Sequence, residues 1–216
     1  MADNFLAALI LAGGRSSRMG RDKALIPVAG VPLLRRVVEA AGSCSQQVYV
    51  LTPWPERYQA VGASYNLLME TNPGQGPMVA LATGLSQIDC VWLLLLACDL
   101  PQLQPDILRG WKEQLTVVPP SHLAMIPRHG SRWEPLCGFY RHQALESLQE
   151  FMATGERSLQ RWLDQVPVTP ISVVTVESQM LLNCNTPEDL RAIITTDSPV
   201  QSITRKSSIS DIIEDN

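Results

Sequence analysis

Two stretches of this chain are apolar from end to end and no longer than a β-strand: residues 5–12 and residues 91–97, the latter holding four consecutive leucines. A strand with one wet face alternates apolar and polar side chains. A strand apolar on both faces must be covered on both sides, which is the situation of a strand inside a parallel sheet flanked by helices. Parallel neighbours also need long crossover connections, and helical patterns duly fall between the strand signals. Helices are predicted over 31–41, 77–87, 105–115, 143–153 and 156–165. Further strands are predicted over 48–51, 66–69, 123–126, 136–140 and 171–176, with a polar segment at 127–134 and a short last helix after Thr186-Pro187. This alternation predicts an α/β fold: three layers, α/β/α, around a Rossmann-like and mostly parallel sheet.

At 216 residues the chain is long enough for one domain, burying roughly 70% of the surface its unfolded form exposes. One domain is expected over residues 1–194, followed by a Ser/Thr/Asp-rich tail at 195–216 that lacks sustained periodicity. The 17 Lys and Arg against 21 Asp and Glu give a net charge of −4, which lacks the broad basic footprint of a nucleic-acid binder. The apolar run from residue 91 ends at Cys98, too short to cross a bilayer, and Met1-Ala2-Asp3-Asn4 has no basic leader signature. The five cysteines are scattered, without a CxxC pair or zinc spacing, so reduced thiols and a cytoplasmic location are expected, with neither nucleic acid nor membrane as partner.

The charge is unevenly placed. After the first strand the chain reads Leu11-Ala12-Gly13-Gly14-Arg15-Ser16-Ser17-Arg18-Met19-Gly20-Arg21-Asp22-Lys23, a loop with four cations against one carboxylate. Adjacent glycines let backbone N–H groups approach an anion, and guanidinium forks and a lysine hold phosphate oxygens. A triphosphate suits such a loop; a surface loop with solvated arginines would carry the same residues. The spacing matches neither GxGxxG nor the GxxxxGK[ST] phosphate loop. Asp99 falls at the C-terminal end of the most apolar strand, where ligands of open parallel sheets bind. One carboxylate beside phosphates suits Mg²⁺, although an aspartate before Leu100-Pro101 can equally serve a turn or helix cap.

Taken in order, these motifs resemble the MobA family of molybdenum cofactor guanylyltransferases, within the nucleotidyltransferases built on the sheet of nucleotide-diphospho-sugar transferases. The resemblance rests on the loop from Leu11 to Lys23, on Glu70 with Pro73-Gly74-Gln75-Gly76-Pro77, on Cys98-Asp99-Leu100-Pro101, on Glu134-Pro135-Leu136, and on Asn183-Cys184-Asn185-Thr186-Pro187-Glu188-Asp189-Leu190. It implies that Leu11, Ala12, Gly13, Gly14, Lys23, Glu70 and Asp99 bind GTP, and that Asp99 ligates Mg²⁺. It further implies that Lys23, Asp99, Arg15 and Arg18 promote the transfer, and that Asn183 and Asn185 face the acceptor, molybdenum-molybdopterin. Asn183 and Asn185 are also sound turn and cap residues. The polar segment from Arg128 to Trp133 is a candidate pterin surface, with packing the alternative for Trp133. Other cofactor-biosynthesis proteins and acceptor molybdoenzymes are implied as further partners.

The chain departs from the family pattern in three places: Thr52-Pro53 stands where some members carry Asn, no glycine follows two residues after Pro77-Met78, and Glu70 replaces the usual Asp. A cytidylyltransferase, whose first motif tends to read Leu-Ala-Ala-Gly, is the nearest alternative. A non-catalytic nucleotide-binding protein on the same fold is the other.

Overall fold

A computed structural model describes residues 5–13, 22–62, 64–184 and 189. The two apolar runs form the centre of the sheet. Strand β1 (Leu6–Leu11) lies between β4 (Gln47–Thr52) and β6 (Trp92–Ala97), parallel to both. Strand β5 (Asn66–Met69) extends the sheet beyond β4. On the other side of β6 come β9 (Cys137–Arg141), β7 (Ala124–His129) and β10 (Val168–Ser172), giving the order β10-β7-β9-β6-β1-β4-β5. Strand β9 and the two-residue β8 (Arg132–Trp133), which pairs with β7, run against the others. A small hairpin of β2 (Pro27–Val28) and β3 (Val31–Pro32) stands apart from the sheet. Its turn places Ala29 and Gly30 at φ 48° and 80°, the pair of positive values that a tight two-residue hairpin requires.

Alternate residues of each central strand enter different cores, which is what burial on both faces demands. Leu6, Ala8 and Ile10 of β1 and Trp92, Leu94 and Leu96 of β6 pack with α1 (Leu33–Gly42) and α3 (Pro105–Gln114) through Leu34, Val37, Leu108 and Trp111. Ala7, Leu9, Leu93 and Leu95 face the opposite way. They meet α2 (Pro77–Gln87), α4 (Ala144–Ala153) and α5 (Leu159–Leu163) through Met78, Leu81, Leu148 and Trp162. The result is the expected three-layer α/β/α arrangement. Gly84 of α2 is required by this packing, since a Cβ there would stand 2.3 Å from Leu9 Cδ2.

Three local expectations change. The polar segment 127–134 is a hairpin, because β7 continues through His129 and turns at Gly130 (φ 55°) into β8. The last strand lies at Val168–Ser172, earlier than 171–176, and its Pro170 is tolerated because β10 is an edge. The β-branched residues after it begin a helix instead, α6 (Thr175–Met180), in which the Glu177 carboxylate accepts a hydrogen bond from the Val174 N–H at 3.1 Å. Local capping thus outweighs the strand propensity of Val174, Thr175 and Val176. The predicted helix after Thr186-Pro187 and the tail fall outside the described residues.

Candidate active site

Because β1, β4, β5 and β6 are parallel, their C-terminal ends open on one edge, and the segments leaving them are stitched together by backbone. The Ala12 N–H donates to the Leu51 carbonyl at 3.0 Å, the Cys98 N–H to the Leu11 carbonyl at 3.3 Å, and the Glu70 N–H to the Thr52 carbonyl at 2.9 Å. Residues 11–13, Glu70 and Asp99 are thereby brought to one rim from three distant parts of the sequence. Gly13 is needed there for space: a Cβ would stand 2.7 Å from Glu70 Oε2 and 2.9 Å from Pro53 Cδ. Partial burial raises the pKa of the Glu70 carboxyl above its ordinary value.

Lys23 reaches the same rim. Asp22 caps a one-turn 3₁₀ helix (Lys23–Leu25), its Oδ1 accepting from the Ala24 N–H at 3.1 Å. The turn projects the Lys23 ammonium to 3.5 Å from Asp99 Oδ2, with the two side chains only 16% and 20% exposed. Such partial burial strengthens the attraction relative to a surface pair. Cys98, beside them, is held to its thiol form: burial first, then the Asp99 and Asp22 carboxylates, push it up to about 12.

The Asp99 turn is fastened from the far side by the Cys184 N–H, which donates to the Asp99 carbonyl at 2.9 Å. This brings Asn183 into a cavity of about 310 Å³, lined by Leu100, Arg132, Glu134, Arg157, Gln160 and Asn183 among others. Trp133 is 5% exposed; its indole N–H donates to Asp164 Oδ1 at 2.9 Å, and the Arg128 guanidinium lies 4.4 Å from its ring centroid. Trp133 is therefore packed and partnered, and it also contributes to the lining of this cavity. Gly14, Arg15, Arg18 and Asn185 fall outside the described residues. Sequence reasoning missed Tyr58, whose hydroxyl donates to Asp22 Oδ2 at 2.7 Å, and Arg36, whose Nε donates to the Pro101 carbonyl at 3.3 Å. Neither stands in a motif, so no local signal announced them.

Among the described residues no group of three metal-ligating side chains gathers; Asp99 offers one carboxylate at the strand end. That donor set does not suit a metal cage made of protein alone. It fits a hard divalent cation completed by nucleotide phosphates and water. No helix among the described residues is long and apolar enough to cross a membrane.

A mostly parallel α/β sheet with Gly13, a lysine and a carboxylate gathered at its C-terminal rim is an arrangement suited to a phosphate-bearing ligand. Residues 8–169 match the model of the MobA-like NTP transferase domain, and the chain belongs to this family of nucleotidyltransferases. The curated relatives narrow the comparison. A protein of Nostoc sp. named "Probable molybdenum cofactor guanylyltransferase" is 49% identical over 190 residues, 88% of this chain and 91% of that one. A protein of the same name from Synechococcus elongatus is 43% identical, over 87% of this chain and 97% of its own length. In fold, the chain is similar to molybdopterin-guanine dinucleotide biosynthesis protein A of Archaeoglobus fulgidus, with a TM-score of 0.72 at 20% identity, covering 88% of this chain and 97% of that one.

Proposed function

We propose that this chain transfers GMP from GTP to the terminal phosphate of molybdenum-molybdopterin, yielding the guanine dinucleotide cofactor and pyrophosphate. The observation that carries the reading is the convergence of the Leu11-Ala12-Gly13 strand end, Glu70, Lys23 and Asp99 on one rim. It is supported by relatives of that name at 43–49% identity over nearly their whole length. An oxygen of the acceptor phosphate attacks the α-phosphorus of GTP as the bond to the pyrophosphate oxygen breaks. The protein's part is in-line positioning and charge neutralisation; no covalent enzyme intermediate is needed.

In this reading the backbone of Leu11 to Gly14, with Glu70, binds the nucleotide. Lys23, whose ammonium stands 3.5 Å from Asp99 Oδ2 on this rim, neutralises a phosphate oxygen. Arg15 and Arg18 are assigned to the phosphates from their place in the loop sequence. Asp99 holds the divalent cation, for which Mg²⁺ is the choice given oxygen donors alone; when bound, the ion offsets negative charge on the triphosphate. Asn183 and Asn185 address the acceptor, and the cavity that Asn183 lines is lined also by Leu100, next to Asp99. Residues 1–194 act as one cytoplasmic nucleotidyltransferase domain.

The test is product analysis: protein, Mg²⁺, molybdopterin carrying molybdenum and a mixture of GTP and CTP are incubated, and the dinucleotide is identified by mass. A guanine dinucleotide supports the proposal. A cytosine dinucleotide, or nucleotide binding with no product, overturns it in favour of one of the two alternatives.

A further inference from the structure

Tyr58 follows a 3₁₀ turn (Pro55–Arg57) after β4 and is 1% exposed. A phenol buried this deeply needs a partner for its hydroxyl, and here that partner is Asp22. The hydroxyl donates to Asp22 Oδ2 at 2.7 Å. Thr52 is itself fully buried, its Oγ1 accepts from the Trp54 N–H at 3.1 Å, and its carbonyl takes the Glu70 N–H. The other oxygen of Asp22 caps the Ala24 N–H, and the Asp22 carbonyl accepts from the Leu25 N–H at 3.2 Å. Tyr58 is held in turn: its carbonyl accepts from the Val61 N–H at 3.1 Å and from the Tyr65 hydroxyl. One hydroxyl thus tethers the turn that aims Lys23 at Asp99 to the segment that follows β4, the strand whose last residue, Thr52, accepts from the Glu70 N–H.

We propose that Tyr58 is a positioning residue for nucleotide binding: through Asp22 it fixes the Lys23 turn in the orientation that presents the ammonium to the triphosphate. The inference rests on reading Lys23 as a phosphate ligand. A phenol-to-carboxylate hydrogen bond is of the stronger, charge-assisted kind. Burial, then the Asp22 hydrogen bond and charge, raise the pKa of Tyr58 well above its ordinary value, so the hydroxyl keeps its proton and remains a donor. In Tyr58→Phe the ring would still fill its place in the core, whereas Asp22 would lose the tether and the Lys23 turn one of its anchors.

The experiment compares Tyr58→Phe with wild type for GTP binding and turnover, in the native and Lys23→Met backgrounds, with Tyr65→Phe as control. Tyr58→Phe is expected to raise the KM for GTP roughly fivefold to tenfold, less than the full worth of a charge-assisted hydrogen bond because the loss reaches the nucleotide only through Lys23. In the Lys23→Met background the same change should add less than about twofold, because the residue acts through Lys23. Tyr65→Phe, which removes a hydroxyl from the same network without touching Asp22, should lower thermal stability and leave the KM within about twofold. An unchanged KM for Tyr58→Phe, an equal loss in both backgrounds, or an equal effect from Tyr65→Phe would overturn the inference. If Lys23→Met weakens GTP binding while Tyr58→Phe does not, this inference alone falls; if neither affects it, the phosphate role of Lys23 falls as well.

Discussion

Lys23 and Asp99, 76 positions apart in sequence, place an ammonium nitrogen and a carboxylate oxygen 3.5 Å apart on a largely buried rim. The parallel register of β1 and β6, which pairs Leu11 with Ala97, sets residues 12–13 beside Asp99, and the turn capped by Asp22 brings Lys23 to the same rim. On the proposed reading, a cation and a carboxylate already standing on that rim reduce the reorganisation needed to take a triphosphate and its metal ion.

Asp99→Ala is expected to lower kcat/KM for transfer by at least about a hundredfold, the scale of losing one strongly placed electrostatic group. The fold should survive, since the Asp99 carbonyl that accepts from the Cys184 N–H is backbone and stays. Pyrophosphate release and a thermal melt measured together check both halves. Transfer at the native rate would show that Asp99 does not hold the metal.

Gly13→Ala puts a methyl where Glu70 Oε2 and Pro53 Cδ already stand at 2.7 and 2.9 Å. Overpacking of this kind costs about 1–3 kcal/mol, and the yielding partner should be the Glu70 side chain rather than the proline ring. We expect a raised KM for GTP, partly restored by adding Glu70→Asp, which retracts the carboxylate by one methylene. Steady-state kinetics of the single and double variants decide this.

Glu70 also predicts a pH effect on stability. Burial raises its folded pKa above the unfolded value, so the native state favours the protonated form. The associated stability is fully present below the unfolded pKa and is lost as pH rises through the folded one. Glu70→Gln, which cannot ionise, should therefore melt higher than wild type at pH 7–8, and the advantage should shrink as the pH falls toward about 4. Melting temperatures across that range provide the check.

Trp133→Phe removes the indole N–H that donates to Asp164 and weakens the stacking of Arg128. A destabilisation of about 1–2 kcal/mol is expected, with the KM for the molybdopterin acceptor unchanged. Denaturant unfolding beside acceptor kinetics separates the two. A large rise in the acceptor KM with unaltered stability would contradict the packing role.

What was legible in the sequence follows from where the signal is local. The runs at 5–12 and 91–97 showed the buried sheet because a strand covered on both faces has no freedom to include polar residues. Gly13, Lys23, Glu70 and Asp99 were legible because they stand in compact motifs at the ends of such strands. The antiparallel direction of β9 was not: strand direction is set by tertiary pairing with β6 and β7, to which an apolar pattern is indifferent. The reason for Gly13 was legible only in part. Its backbone was read as making room for an anion, whereas the structure shows its missing Cβ making room for Glu70 and Pro53. Tyr58 was illegible because its partner lies 36 residues away and nothing in Arg57-Tyr58-Gln59 marks a buried hydroxyl.

The most direct test of the central claim is pyrophosphate release by the purified protein with Mg²⁺ and, in turn, GTP, CTP or ATP, each with and without molybdopterin carrying molybdenum. The account predicts release that requires the acceptor and is fastest with GTP. Release with CTP exceeding that with GTP, or none with any nucleotide in the presence of the acceptor, would contradict it.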